Sequence, residues 1–273
     1  MKRSRFAEKI ERICPTATCF WQRRIIGAAG ACFYVNFVTS RINFSAATDT
    51  VRGDASVRTL PFLLFIGVLA LRGALPAGEP GEAGGDLRWL YGLQAAVACT
   101  ALFLLRSHYR ELARPRFSPG QLLLSLLGGS AVFVLWISPM PGWAHLGSPV
   151  ASFVPLDATG ALQWGLIAVR SCGAVLVVPV MEELFWRSFL MRWIDKRNFL
   201  DLAPHAASAT AMLVSSAIFA LAHELWLCAF CAGLVYAQIY RRTGNIWCAV
   251  LAHSVTNLLL AIWVVGQSAW TYW

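Results

Sequence analysis

The sequence is poor in charged residues. Only 14% of its 273 residues are Asp, Glu, Lys or Arg, whereas 58% are hydrophobic and the mean hydropathy is +0.58. Because about a quarter of the residues in a soluble domain are charged, this composition argues strongly against a cytosolic globular protein. The length instead fits one membrane domain of about six to eight spans. The twelve Trp suit the aromatic belts at the two membrane surfaces.

Several other sequence signals are missing. The chain has no internal repeat, no heptad pattern and no compact apolar core followed by a clean signal-peptide cleavage site. Among its eight Cys, Cys228 and Cys231 form a CxxC pair, but no second pair accompanies it. This pattern favours small residues packed between helices, with redox chemistry or metal binding as the alternative.

Seven apolar segments are long enough to cross a bilayer at about 1.5 Å per residue, with some tilt or thinning. They are residues 57–73, 89–105, 121–138, 161–181, 206–222, 225–240 and 246–265. Residues 25–40 form a weaker eighth candidate. The expected fold class is therefore all-α, a polytopic transmembrane helix bundle of about seven spans, or eight with this candidate. Residues 1–56 are expected to be a basic N-terminal extension, and residues 57–273 the membrane domain.

Positive charge is concentrated in particular connecting segments. Residues 1–58 hold ten basic residues against four acidic ones, residues 106–116 hold four Arg against one Glu, and two Arg occupy 241–242. The loops 72–88 and 139–160 lack such an excess. The positive-inside rule therefore predicts a multi-pass protein with a cytoplasmic N-terminus. The basic tail indicates topology or contact with anionic membrane lipid, and we expect no binding to nucleic acid.

Polar residues within the apolar segments are the candidates for function. A charged side chain at the centre of a membrane helix costs about 2.5–3.5 kcal/mol on insertion scales, so most of those that remain are partnered or used. The exceptions in these otherwise clean segments are Arg170, Glu182, Glu183, Arg187, His223, Glu224, His253 and Asn257.

Two glutamates follow Pro179, a residue that removes one helical hydrogen bond and kinks a helix. Glu183 and Arg187 are four residues apart with the acid first, the favourable order for a helical ion pair. The adjacent Glu182 points about 100° away and has no obvious local partner. Its carboxylate in a poorly solvated site would suit a general base. The alternative is that both glutamates lie at the cytoplasmic interface and end a span.

Two histidines and an amide lie on the following segments. A lone histidine such as His223 is more often interfacial than functional. His253 and Asn257 are four residues apart and so share one face of the last helix. There they could donate hydrogen bonds to a developing oxyanion or hold helices together. With Glu182, these groups are the ones that amide hydrolysis within a bilayer requires, if water reaches them in a cavity between helices.

The three motifs, taken in order, resemble the CAAX-protease and bacteriocin-processing family of intramembrane endopeptidases. The pattern of that family is EExxxR, then FxxxH, then HxxxN, and here it occupies residues 182–187, 219–223 and 253–257. The resemblance extends over about residues 57–273, which it identifies as an intramembrane protease domain. It leaves residues 1–56 unexplained.

The resemblance implies a role for each matching residue. Glu182 would be the general base that activates water for peptide-bond hydrolysis, and His223 would help to hold that water. His253 and Asn257 would stabilise the tetrahedral oxyanion. The supporting residues would be Glu183 and Arg187.

Two mechanisms remain open for such a site. Two histidines and a carboxylate are an acceptable catalytic set for zinc. However, the HExxH signature is absent, and His223 and His253 lie on separate predicted spans. We therefore favour a glutamic mechanism with no cofactor and no metal ligands, and retain a zinc-dependent version as the alternative.

Finer features are similar to one bacterial subgroup of the family, associated with exosortase and protein-sorting systems. These features are Pro179 before the glutamates, Trp186 and the closing Trp273. The likeness implies a protein of the bacterial inner membrane that cleaves a membrane-anchored protein or peptide, for example at a C-terminal sorting segment.

Two functions of other classes remain as alternatives. One is a non-catalytic immunity or assembly protein that binds a partner through the same bundle. The other is a transporter with Arg170 and Glu182 on a polar path, although no repeat-related pair of broken helices is visible.

If the helices are straight, the number of residues in each span places two of the candidate residues far apart across the membrane. Glu182 would lie near the cytoplasmic end of its span and His223 at the far end of the next span. Either the helix with Pro179 bends and continues past Arg192, or the fifth span begins later and is tilted.

Overall fold

The computed structural model describes residues 49–75, 87–113, 115–146 and 153–273. Within these ranges the chain is helical, without a β-strand. The candidate span at 25–40 and most of the basic N-terminal extension lie outside the described residues.

Seven α-helices, some preceded by short 3₁₀ turns, correspond to the seven predicted segments. In the described ranges they are α1 (Asp49–Ala74), α2 (Leu90–Leu104), α3 (Pro119–Ile137), α4 (Trp164–Asp195), α5 (Ala209–Ala220), α6 (Trp226–Thr243) and α7 (Ile246–Gln267). Five of them, α1 to α4 and α7, are long and apolar enough to cross a membrane. The described part of the chain is therefore a helical, multi-pass membrane bundle, which confirms the expected fold class.

Local sequence signals set several helix ends. Ser118 caps α3, since its hydroxyl accepts a hydrogen bond from the backbone N–H of Gln121 while the Gln121 side chain accepts one from the Ser118 N–H. Gly244 ends α6 with a left-handed φ of 64°, a conformation that costs glycine little. Asn245 then caps α7 through the N–H of Trp247. The last two helices are thus joined by a very short connection.

Helix α4 is longer than predicted, and its winding changes along its length. Its sections are α-helical Trp164–Cys172, π-helical Gly173–Val177, α-helical Val178–Glu183, π-helical Leu184–Met191 and α-helical Arg192–Asp195. The sequence prediction ended this span at residue 181. In the structure, Glu182 and Glu183 instead lie inside the helix, between two π-helical sections, a winding that is frequent at functional sites.

Helix α5 is too short to cross a bilayer. Its 12 residues make a rod of about 18 Å, against a hydrocarbon core of about 30 Å. The turn at 221–225 then leads directly into α6. One feature of each expected solution is therefore present: α4 continues past Arg192, to Asp195, and α5 begins later than predicted, at Ala209.

Small residues allow the central helices to approach closely. Helix α3 packs along α7, α5 packs along α6, and α6 also contacts α3 and α7. A Cβ added to Gly129 of α3 would overlap the backbone carbonyl of Ala252 in α7. A Cβ added to Gly233 of α6 would come within 2.9 Å of the Ser216 side chain in α5. Glycine at these two positions thus permits the observed helix spacing.

A buried ionic group, here called the Arg58 cluster, joins α1, the loop after α2 and α4. Arg58 is fully buried and donates from Nε and Nη2 to the two carboxylate oxygens of Glu111, each at 2.7 Å. The Ser188 hydroxyl also donates to Glu111, and Arg192 Nη2 donates to Ser188 Oγ at 2.7 Å. Charge counting along the sequence had grouped Arg58 with the basic N-terminal segment, but its partner is an acid of a distant loop.

Candidate active site

A cavity of about 110 Å³ lies between α4, the end of α5, α6 and α7. A water molecule occupies about 30 Å³ in the liquid, so the cavity can hold several waters. Its apolar wall includes Trp136 and Phe219. Its polar lining residues are Glu182, His223, Tyr236, His253, Thr256 and Asn257. The four side chains that the sequence predicted to be catalytic therefore line the same cavity. Their roles remain predictions.

Glu182 is the one carboxylate that lines this cavity. Its Oε2 is buried and has no hydrogen-bond partner among the described residues. A buried polar atom without a partner costs about 1–3 kcal/mol, and a charged one costs more. Such an arrangement is typical of a group kept for chemistry or for a bound molecule rather than for stability.

Glu183 lies behind the cavity and contacts both Arg187 and His253. Its side chain is fully buried, with Oε2 3.1 Å from Arg187 Nε and Oε1 3.0 Å from His253 Nδ1. The predicted i,i+4 ion pair is therefore present in the structure. Because Nδ1 of His253 is engaged by Glu183, the remaining ring nitrogen, Nε2, is available to the cavity that His253 lines.

His223 is held by the turn that follows α5. Its Nδ1 lies 3.0 Å from the carbonyl oxygen of Phe219, one helical turn earlier, and a carbonyl can only accept, so Nδ1 donates. The ring meets Trp136 edge-on, with centroids 5.8 Å apart. This leaves Nε2 of His223 as the nitrogen with a free lone pair, able to accept a hydrogen bond from water.

Asn257 reaches the cavity from halfway along α7. Its Nδ2 donates to the carbonyl oxygen of Ala174 at 2.7 Å, inside the first π-helical section of α4. One N–H of the amide is therefore used to join α7 to α4. The second N–H and the Oδ1 have no protein partner among the described residues.

Two residues of the cavity were missed by the sequence reasoning. Thr256 lies three positions after His253 on α7, a spacing that could have placed both on one side of that helix. Tyr236 gave no signal, because a tyrosine in an apolar helix resembles many others that only pack. Both are buried in the structure, and they are joined by a hydrogen bond of 2.8 Å.

Arg170 does not line the cavity. Its guanidinium carbon lies 4.7 Å from the ring centre of Tyr91, 4.6 Å from that of Phe153 and 5.6 Å from that of Trp273. Such cation–π contacts stabilise a desolvated cation by about 2 kcal/mol or more. They join the final residues of the chain to α2 and α4.

The His, Cys, Asp and Glu side chains near the cavity are the ones that could bind a metal ion. In the described part of the chain, no group of three or more His, Cys, Asp or Glu side chains is arranged to hold a metal ion. Within the cavity, Glu182, His223 and His253 are the side chains of the types that a zinc site would use.

Comparison with known proteins adds one match. Neither curated proteins nor solved structures match the chain. A family model, described as Type II CAAX prenyl endopeptidase Rce1-like, matches residues 163–259. This segment begins just before α4, ends within α7 and contains all six predicted site residues. This segment of the chain is therefore similar to the CAAX prenyl endopeptidases that the model describes.

Proposed function

We propose that the protein is an intramembrane endopeptidase in which a water molecule activated by Glu182 hydrolyses a peptide bond. The observation that carries this proposal is the cavity itself. In it, an unpaired buried carboxylate shares about 110 Å³ with two histidines and an amide. The family match at residues 163–259 supports the same reaction class.

The first step uses Glu182 and His223. The lone pair on His223 Nε2 accepts a hydrogen bond from the water and orients it, while the Glu182 carboxylate removes a proton from that water. The water oxygen then forms a bond to the carbonyl carbon of the substrate. The electron pair of the carbonyl π bond moves onto its oxygen, which becomes the oxyanion.

Two other side chains of the cavity stabilise that oxyanion. Asn257 donates from the N–H that Ala174 does not use, and His253 donates from Nε2 as an imidazolium whose positive charge lies beside Glu183. When the intermediate collapses, the C–N bond breaks and Glu182 returns its proton to the departing amine. The products are a carboxylic acid and an amine: one proton of the water has passed through Glu182 to the nitrogen, and the other stays on the new acid.

Glu183 and Arg187 are proposed to support this arrangement without contacting substrate. The buried ion pair between them fixes the carboxylate, which in turn fixes one nitrogen of His253. Orientation of a reacting histidine by a buried carboxylate is a recurring device in hydrolases.

The mechanism proposed here uses no metal cofactor, and zinc is its competitor. Metal analysis of the purified protein by plasma mass spectrometry, together with cleavage assays after chelation, separates the two. We expect less than stoichiometric zinc and unchanged cleavage after chelation. One zinc per chain, with loss of cleavage on chelation and recovery on zinc addition, would establish the zinc-dependent version.

The proposed substrate is a membrane-anchored protein or peptide, trimmed within a C-terminal sorting segment. The proposed location is the bacterial inner membrane, with the N-terminus in the cytoplasm. The Arg-rich loops and the similarity to the exosortase-associated subgroup support these finer assignments.

The test is mass spectrometry of membrane-protein C-termini from cells that express the wild-type protein or Glu182→Gln at equal levels. Glutamine keeps the shape of the side chain but cannot take the proton. We expect a small set of proteins to be trimmed in wild-type cells and to stay untrimmed in the variant.

Glu224→Gln is the matched control. Glu224 directly follows His223 in the sequence, but it does not line the cavity. Its side chain is about one-third exposed, and its carboxylate lies 3.5 Å from His145. Trimming should persist in this variant. Equal C-terminal profiles in wild-type and Glu182→Gln cells, with full biological activity of the variant, would favour the non-catalytic immunity or assembly protein instead.

A further inference from the structure

We propose that Tyr236 is a positioning residue that sets the orientation of His253 and Arg187 behind the reaction cavity. This inference rests on the proposed peptidase function. It concerns a residue outside the three motifs, on α6, a helix that supplies none of the predicted catalytic groups.

The ring of Tyr236 lies close to both side chains that Glu183 contacts. It stacks on the His253 imidazole with centroids 4.9 Å apart and planes inclined by 17°. The guanidinium carbon of Arg187 lies 5.4 Å from the same tyrosine ring centre. A single aromatic side chain therefore contacts both partners of the buried carboxylate.

The stacking supplies a constraint that the hydrogen bond to Glu183 lacks. The contact between Glu183 Oε1 and His253 Nδ1 fixes one point of the imidazole, and the ring could still tilt about that point. A flat surface against its face restricts this tilt and so fixes the direction of Nε2. The direction of Nε2 matters because an oxyanion donor acts only within hydrogen-bond range of the developing charge.

The far end of Tyr236 is fixed as well. Its hydroxyl donates to Thr256 Oγ1 at 2.8 Å, and Thr256 Oγ1 donates to the carbonyl oxygen of Gly129, also at 2.8 Å. This chain of bonds joins α6, α7 and α3. It runs to Gly129, where the close approach of α3 and α7 excludes a larger residue.

Tyr240 provides the matched comparison. It lies one turn later on α6 and is as buried as Tyr236, each with 1% of its surface exposed. Its ring lies under Arg192, at 5.9 Å, in the region of the Arg58 cluster. Leucine at either position therefore removes a buried aromatic ring from the same helix, but only one of the two substitutions removes the contact with His253.

The experiment compares Tyr236→Leu, Tyr236→Phe and Tyr240→Leu in the full-length protein. For a substrate peptide that the wild-type protein cleaves and Glu182→Gln does not, kcat and KM are measured beside thermal unfolding in detergent. We expect Tyr236→Leu to lower kcat about 100-fold with KM changed less than about threefold, as a misplacement of about 1 Å would do. Tyr236→Phe, which keeps the stacked ring, should restore most of kcat.

The outcome that overturns the proposal is a Tyr236→Leu protein whose kcat falls no more than that of Tyr240→Leu at equal folded fraction. Failure of the proposed function is a separate result, since it appears as cleavage that survives Glu182→Gln.

A second measurement does not depend on turnover. The chain has five histidines, so the imidazole signals of histidine-labelled protein in detergent micelles can be assigned one by one. Those of His253 should move in Tyr236→Leu and stay near wild type in Tyr236→Phe and Tyr240→Leu. Unmoved His253 signals in Tyr236→Leu would also overturn the proposal.

Discussion

Two buried polar groups in this apolar bundle contain glutamates in opposite situations. Glu111 of the Arg58 cluster accepts two hydrogen bonds from Arg58 and one from Ser188. Glu182 in the reaction cavity accepts none from the described residues, and its Oε2 is buried. Removing the Glu111 carboxylate and removing the Glu182 carboxylate should therefore have different consequences. The first should cost stability and the second should cost activity.

The sharpest test of this contrast is the pair Glu182→Gln and Glu111→Gln. Glu182→Gln should abolish cleavage, a loss of at least about 10³-fold, since it removes the proton acceptor, and it should not lower the unfolding temperature. Glu111→Gln should leave the buried Arg58 with Asp54, 3.7 Å away and about one-third exposed, as its remaining carboxylate partner, and destabilise the protein by about 3 kcal/mol. Cleavage per folded molecule and thermal unfolding in detergent measure the two effects. A Glu182→Gln protein that is less stable than Glu111→Gln would break the comparison.

Asn257→Ala removes an amide that serves both chemistry and structure. We expect cleavage to slow by about 10²–10³-fold if the free N–H is an oxyanion donor. The lost bond to Ala174 should lower stability by only about 1 kcal/mol. Single-turnover cleavage rates under conditions of full folding check this. An unchanged rate would leave Asn257 as a helix-joining residue alone.

Glu183→Gln tests the support of the cavity. Glutamine at this position removes the charge that faces Arg187 and His253, both of which are buried. The expected cost is about 3–5 kcal/mol of unfolding free energy, because the guanidinium loses its counter-charge. The double variant Glu183→Gln with Arg187→Met should recover part of this loss. If the double variant is no more stable than Glu183→Gln alone, the ion pair between Glu183 and Arg187 is not the interaction that stabilises this part of α4.

The smallest effect expected is the pH dependence of the Arg58 cluster. Burial raises the pKa of Glu111, but the hydrogen bonds and charge of Arg58, with Ser188, outweigh this and hold the pKa below its ordinary value of 4.5. A carboxyl whose pKa is depressed by folding stabilises the protein above its unfolded pKa and loses that contribution as the pH falls through the folded pKa. Wild-type protein should thus be more stable than Glu111→Gln at pH 7.

Unfolding temperatures of both proteins, recorded from pH 7 down to pH 3, give the measurement. The difference between them should shrink below about pH 4.5. A difference that stays constant over this range would show that the carboxylate charge of Glu111 is not the stabilising feature.

The motif residues illustrate what local spacing can predict. A spacing of four residues places Glu183 and Arg187 on one helix face, and the pair is present. His253 and Asn257 likewise share the face of α7 that reaches the cavity. The second partner of Glu183 is His253, 70 residues away, and no helical periodicity relates the two.

Helix boundaries and depth were harder to predict. Helix α4 continues to Asp195 through a section of π-helical winding, and apolar periodicity at 3.6 residues per turn does not register such winding. Helix α5 was predicted to span the membrane and has only 12 residues. That shortening, with the turn after it, brings His223 to Glu182.

By itself, the sequence determined the class of this protein and the residues that are proposed to carry its chemistry. Sparse charge and long apolar runs require helices, since only helices satisfy every backbone polar group within a single apolar segment. The motif residues are local patterns and so could be read directly. Only the tertiary structure decided which carboxylate is paired and which is free, because Arg58, the partner of Glu111, and His253, the second partner of Glu183, come from distant helices brought together by packing.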